Sequence, residues 1–149
     1  LDIAAEDIMV LQNAGPVAAG MPEAGYLPIP KKLARQGVKD IVRISDARMS
    51  GTAFGTIVLH IAPETARGGP LAAIRTGDRI RLSVRNKSID LLVDDAEIAR
   101  RLANHTPPDL PPRGYRGLYA RAVTQAPEGV DFNFLQHEST ARFGWEDER

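Results

Sequence analysis

Short apolar runs, separated by stretches rich in Gly, Pro and charge, set the pattern of this chain. Ile8-Met9-Val10-Leu11 predicts a first strand, and Asn13 to Gly25 reads as a loop by its Gly and Pro content. Pro28-Ile29-Pro30 is extended. Lys31 to Gln36 predicts a short helix, with Pro30 near its start, Gly37 as its stop and Leu33 turned inward. Val38, Ile41, Val42 and Ile44 predict a second strand, and Ile57-Val58-Leu59 resumes the β-like pattern. Gly68-Gly69-Pro70 marks a turn before the apolar Leu71 to Ile74, and Thr76-Gly77-Asp78 turns the chain again. Arg79 to Val84 alternates polar with apolar residues, and Ser88 to Val93 returns. The two predict a hairpin that turns at Asn86-Lys87. Asp94 or Asp95 caps a predicted helix carrying Ile98 and Leu102 one turn apart. Pro107, Pro108, Pro111 and Pro112 make a stiff linker. Tyr115 to Thr124 predicts a second amphipathic helix, with Leu118 and Ala122 beside Tyr115 and Tyr119, and Pro127-Glu128-Gly129 breaks it. Val130, Phe132, Phe134 and Leu135 can dock a short segment. The pattern predicts one domain over residues 1–135 and a polar, mobile tail over 136–149, in which Phe143 and Trp145 are the apolar exceptions.

The loop between the second and third runs concentrates the candidate chemistry. Ser50, Thr52 and Thr56 alternate with Gly51 and Gly55, so hydroxyls and backbone N–H groups are open to close approach by a ligand. A tight connection in a β-rich domain has the same composition. The loop is not a phosphate loop, because Met49 stands where that pattern needs Lys, and it lacks G-x-G-x-x-G. Nor is there a G-x-S-x-G nucleophile elbow. Glu23 lies alone in the first loop, either solvated or contacting a metal or substrate. His60 and Glu64 follow the third run, and His60 reads as a structural residue beside a strand.

Composition narrows the function classes. The chain has 149 residues, which suits one domain with its own core. Its formal net charge is zero, which gives no footprint for nucleic acid. No apolar stretch reaches membrane-spanning length. The absence of Cys excludes disulfides and any cluster held by this chain's own thiolates. Three His without an H-E-x-x-H pattern do not make a zinc site.

Several motifs in order carry a resemblance: Gly20-Met21-Pro22-Glu23, Asp46-Ala47-Arg48-Met49-Ser50-Gly51-Thr52, His60-Ile61-Ala62-Pro63-Glu64, Gly68-Gly69-Pro70, Thr76-Gly77-Asp78 and Leu91-Leu92-Val93-Asp94. From about Asp7 to Leu135 the chain resembles the C-terminal domain of the dihydroxy-acid, phosphogluconate and sugar-acid (aldonate) dehydratases. Ala47, Met49 and the segments Gly114 to Tyr119 and Asp131 to Leu135 are similar to the sugar-acid branch. The branched-chain enzymes carry Gly and Phe in place of Ala47 and Met49. The chain departs from the family at Val17-Ala18-Ala19, which is shorter and less Gly-rich. The resemblance covers the last part of a full-length enzyme, so the chain reads as an excised domain, inactive alone.

The resemblance implies an α+β, β-rich fold: a β-barrel-like swivelling domain akin to that of aconitase, flanked by a few helices. It implies a cytoplasmic homo-oligomeric lyase that turns a 2,3-dihydroxy acid into a 2-keto-3-deoxy acid. An iron–sulfur cluster and Mg²⁺ would lie between this domain and the missing N-terminal one, which would hold the cluster ligands. Ser50 is implied as the catalytic base, acting as an alkoxide, and Ser50 and Thr52 as substrate-binding residues. Glu23 is implied as a Mg²⁺ ligand, a hard oxygen donor for a hard ion. Asp46 and Arg48 are implied to hold the loop. A β-rich binding module without catalysis, or the same domain of a branched-chain enzyme, are the alternatives.

Overall fold

The computed structural model describes residues 2–23 and 27–136; all of the predicted tail over 136–149 except Gln136 lies outside the described residues. The first and third apolar runs form the strands they predict, whereas the second strand is displaced to Arg43–Ser45 and keeps only Ile44 of its predicted residues. β1 (Met9–Leu11), β2 (Arg43–Ser45) and β3 (Ile57–Val58) make one sheet in the order β1-β2-β3. Both pairings are parallel: Val10 faces Ile44, and Ile44 faces Val58. All three residues of β2 are buried, as suits a central parallel strand covered on both faces. Parallel neighbours need a connection that returns along the sheet. Between β1 and β2 this includes α1 (Pro16–Ala19) and α2 (Lys31–Arg35). Between β2 and β3 the return is the hydroxyl-rich loop itself, residues 46–56.

α2 ends at Gly37, whose φ of +82° suits glycine, and buries Leu33 at 2% exposure. β4 (Ile80–Ser83) and β5 (Ser88–Leu91) form the predicted hairpin, with Leu82 opposite Ile89. Its turn takes in Val84, which is 82% exposed rather than part of the strand. α3 (Asp95–Ala103) is capped by Asp94, whose carboxylate accepts from Ala96 N–H at 2.9 Å. It packs on a 3-10 segment, Pro70–Ala73, that buries Leu71, Ala72 and Ala73.

α4 (Gly114–Ala122) buries only part of the expected apolar stripe. Gly117, Ala120 and Ala122 are buried, whereas Tyr115 and Leu118 are exposed. The reason is close packing: a Cβ at Gly117 would lie 2.6 Å from the Pro111 carbonyl oxygen. Only small residues admit that approach, so the larger ones of the stripe turn outward.

The expected β-barrel is corrected. Among the described residues the molecule is mixed α/β, with one three-stranded parallel sheet and one hairpin, and neither closes. Apolar runs locate strands, but their spacing does not say whether a sheet closes. No described helix is long and apolar enough to cross a membrane.

Candidate active site

The loop of residues 46–56 leaves the centre of the sheet already anchored. Ser45 Oγ donates to the Leu11 carbonyl at 2.9 Å and accepts from Ala47 N–H at 2.9 Å. Asp46, 1% exposed, accepts from Ala14 N–H and Thr65 N–H, each at 2.9 Å. One carboxylate thus joins the segments before α1 and after β3. Ala47 is fully buried, which leaves no space for a longer side chain.

Beyond Ala47 the loop reaches solvent. Ser50 Oγ and Thr52 Oγ1 are hydrogen-bonded at 2.9 Å, and Thr52 N–H donates to Ser50 Oγ at 3.3 Å. Ala53 N–H closes the turn on the Ser50 carbonyl at 3.0 Å. Ser50 is half-buried and Thr52 exposed.

The structure places Glu23 alongside. Glu23 and Arg48 form an isolated parallel bridge, and Arg48 Nη1 lies 3.7 Å from Glu23 Oε2. Arg48 Nε donates to the Met21 carbonyl at 3.1 Å. Gly20 and Met21 both take left-handed backbone, at φ +73° and +48°, and so turn the chain from α1 toward Arg48. Arg48 and Asp46 both hold loops, but they bond different partners. His60, exposed, donates its backbone N–H to the Ala47 carbonyl at 3.1 Å.

Two buried charges that the pattern did not single out as site residues complete the frame. Glu64, 1% exposed, accepts from Val17 N–H at 2.8 Å, Ala18 N–H at 3.0 Å and Gln125 Nε2 at 2.7 Å. It fixes the first turn of α1, just ahead of Glu23. Arg43, 2% exposed, bonds the carbonyls of Ile41, Leu27 and Phe54 and the carboxylate of Asp40. Asp40 in turn accepts from Thr56 N–H and Oγ1, both at 2.8 Å. Burial pushes the Asp40 carboxyl up, but the bonds from Thr56 and Ile41 and the Arg43 charge outweigh it and hold it below the ordinary range. The signal available in the sequence was a lone Arg inside an apolar strand.

The exposed Glu23 carboxylate is a hard oxygen donor with one loose cationic neighbour, so it fits a hard divalent ion as a single ligand. Among the described residues no three His, Cys, Asp or Glu side chains gather into a metal site. Without Cys, no residue of the chain fits an iron–sulfur cluster as a thiolate ligand.

Comparison with known proteins supplies the family. The model for the dihydroxy-acid/6-phosphogluconate dehydratase C-terminal domain matches residues 1–130. The chain is 54% identical over 138 residues to 6-deoxy-6-sulfo-D-gluconate dehydratase of Pseudomonas putida, covering 91% of the chain and 24% of that protein. It is 52% identical to L-arabonate dehydratase of Azospirillum brasilense, again over 91% of the chain and 24% of the relative. Against a dihydroxy-acid dehydratase of Streptococcus sanguinis the identity is 38%, with 91% and 24% covered. The chain therefore spans about a quarter of the length of these curated relatives. A match over most of its length makes this chain a member of the dihydroxy-acid/6-phosphogluconate dehydratase C-terminal family.

Proposed function

We propose that this chain is the C-terminal part of a hydro-lyase that converts a 2,3-dihydroxy sugar acid into a 2-keto-3-deoxy acid, with Ser50 as its base. The observation that carries the reading is the Ser50–Thr52 hydroxyl pair, placed beside the Glu23–Arg48 bridge. A serine hydroxyl is a poor base unless its alkoxide is stabilised. Thr52 can donate to Ser50 Oγ twice, from its hydroxyl and from its N–H. Two donors favour the oxyanion over the neutral hydroxyl. Ser50 Oγ then takes the C2 proton of the substrate, the C3 hydroxyl departs, and the resulting enol tautomerises to the keto acid.

Glu23 would hold Mg²⁺, which when bound supplies positive charge beside the substrate carboxylate and makes the C2 proton easier to remove. Arg48 holds the Glu23 segment by its backbone and offsets the carboxylate charge. An iron–sulfur cluster would be held by thiolates outside this chain.

Identity favours sugar acids over branched-chain dihydroxy acids. The sugar-acid relatives are 54%, 52% and 50% identical, against 38% for the Streptococcus sanguinis enzyme. The test is a substrate panel offered to the full-length enzyme: several aldonic acids and one branched 2,3-dihydroxy acid. The expected result is 2-keto-3-deoxy product, with kcat/KM at least about tenfold higher on an aldonate. Preference for the branched acid, or no dehydration of any, contradicts the reading.

A further inference from the structure

We infer that Arg43 is a positioning residue that fixes the Ser50 loop against the chain that follows Glu23. The inference deepens the reading of Ser50 and Glu23 as one site and rests on it. Arg43 sits in the central strand, with its backbone in register between Met9 and Ile57. Its side chain does nothing for that ladder. The guanidinium runs out of the sheet and divides between two loops: Nη1 donates to the Leu27 carbonyl at 3.1 Å, and Nη2 to the Phe54 carbonyl at 2.9 Å. Leu27 lies four positions after Glu23, just beyond the first loop, and Phe54 follows Ser50 and Thr52 in the second. A single rigid fork therefore joins the chain just beyond the first loop to the loop that carries Ser50 and Thr52.

The rest of the neighbourhood stiffens this fork. Nε donates to the Ile41 carbonyl at 3.2 Å, and Asp40 Oδ1 lies 3.1 Å from Nη2. Asp40 also holds Thr56, so the same carboxylate anchors the arginine and the exit of the Ser50 loop. Gly55, at φ +105°, is where backbone and guanidinium meet, and a Cβ there would collide with both Arg43 and Asp40. An apolar residue at position 43 would keep the strand and its burial but lose the tie. Lysine would keep the charge and lose the planar fork that reaches two carbonyls at once.

The test uses Arg43→Lys in the full-length enzyme, with Arg43→Gln read the same way should the lysine variant fail to fold. Amide exchange should quicken at least about tenfold at Ala53 and Thr56, whose N–H groups are bonded to the Ser50 carbonyl and to Asp40, while the β4–β5 hairpin keeps its protection. In steady-state kinetics kcat should fall about 10- to 100-fold with KM changed less than about threefold, as misplacement of a reacting group predicts. Added to Ser50→Ala, Arg43→Lys should cost nothing further, because no base remains to be misplaced. Arg101→Lys, which alters an ion pair away from both loops, should leave kcat unchanged. Unaltered exchange at Ala53 and Thr56, or the same kcat loss in the Ser50→Ala background, would overturn the inference. Ser50→Ala alone reports on the base: if its kcat stays within about tenfold of the parent, that reading fails while the exchange data still decide the tie.

Discussion

Arg43, Asp46 and Glu64 are buried charged side chains whose partners are mostly backbone groups of loops. Each joins segments far apart in the chain, so each converts a flexible loop into a fixed one. Glu64 gives the sharpest prediction at this scale. Glu64→Gln keeps the shape but replaces an acceptor oxygen with a donor that faces Val17 N–H, Ala18 N–H or the Gln125 amide. The clash of donors should cost about 2–3 kcal/mol, seen as a lower denaturation midpoint at unchanged m-value. An unchanged midpoint would mean that the carboxylate does not hold α1. Gly15→Ala should act on the same contact, because a Cβ there would lie 2.6 Å from the Glu64 Cβ. Folding yield should drop, and Glu64→Ala should not restore it, because the alanine keeps the clashing Cβ.

Elements divide into those written in local pattern and those set by distant neighbours. The hairpin, the Asp94 cap and the Gly37 stop follow from alternation and capping chemistry within a few residues. Asp94→Ala should therefore cost about 1 kcal/mol of stability, read by thermal melting, and no change would deny the cap its role. The parallel pairing of β2 and β3 was not legible, because apolar runs locate strands without orienting them. The buried face of α4 is not legible for a different reason: the Pro111 carbonyl, which leaves no space for a Cβ at Gly117, is brought to it by the fold. Ser50, Thr52 and Glu23 stood out by motif, whereas Arg43 and Glu64 gain meaning only once Leu27, Phe54 and Val17 are brought to them. Acid should act first on α3 and the turn it grips. The bond from Arg101 outweighs burial and holds the Asp78 carboxyl low, while bonds from Arg100 and Arg101 pull Glu97 from 4.5 to about 2. Depressed values stabilise the fold above the ordinary carboxylate range and lose that contribution as pH falls toward about 2. The melting temperature should drop between about pH 5 and pH 2.5, and Arg101→Met should flatten that slope. An identical slope in the variant would place the acid sensitivity elsewhere.

The whole molecule is a domain that brings the first loop, with Glu23, against the loop of Ser50 and Thr52, within a chain spanning about a quarter of its relatives' length. Among the described residues no three His, Cys, Asp or Glu side chains gather into a metal site, and the chain has no thiolate. The isolated 149 residues with Mg²⁺ should therefore form no 2-keto-3-deoxy product from any aldonate, and detectable product would show that no further domain is needed. The account stands most directly on the division of labour between Ser50 and Glu23 in the full-length enzyme, measured as kcat against Mg²⁺ concentration for Ser50→Ala and Glu23→Gln. Ser50→Ala should lower kcat by roughly a hundredfold or more at every Mg²⁺ concentration, while Glu23→Gln should raise the Mg²⁺ needed and recover in part at excess. A Ser50→Ala enzyme within about tenfold of the parent kcat would contradict the assignment of the base.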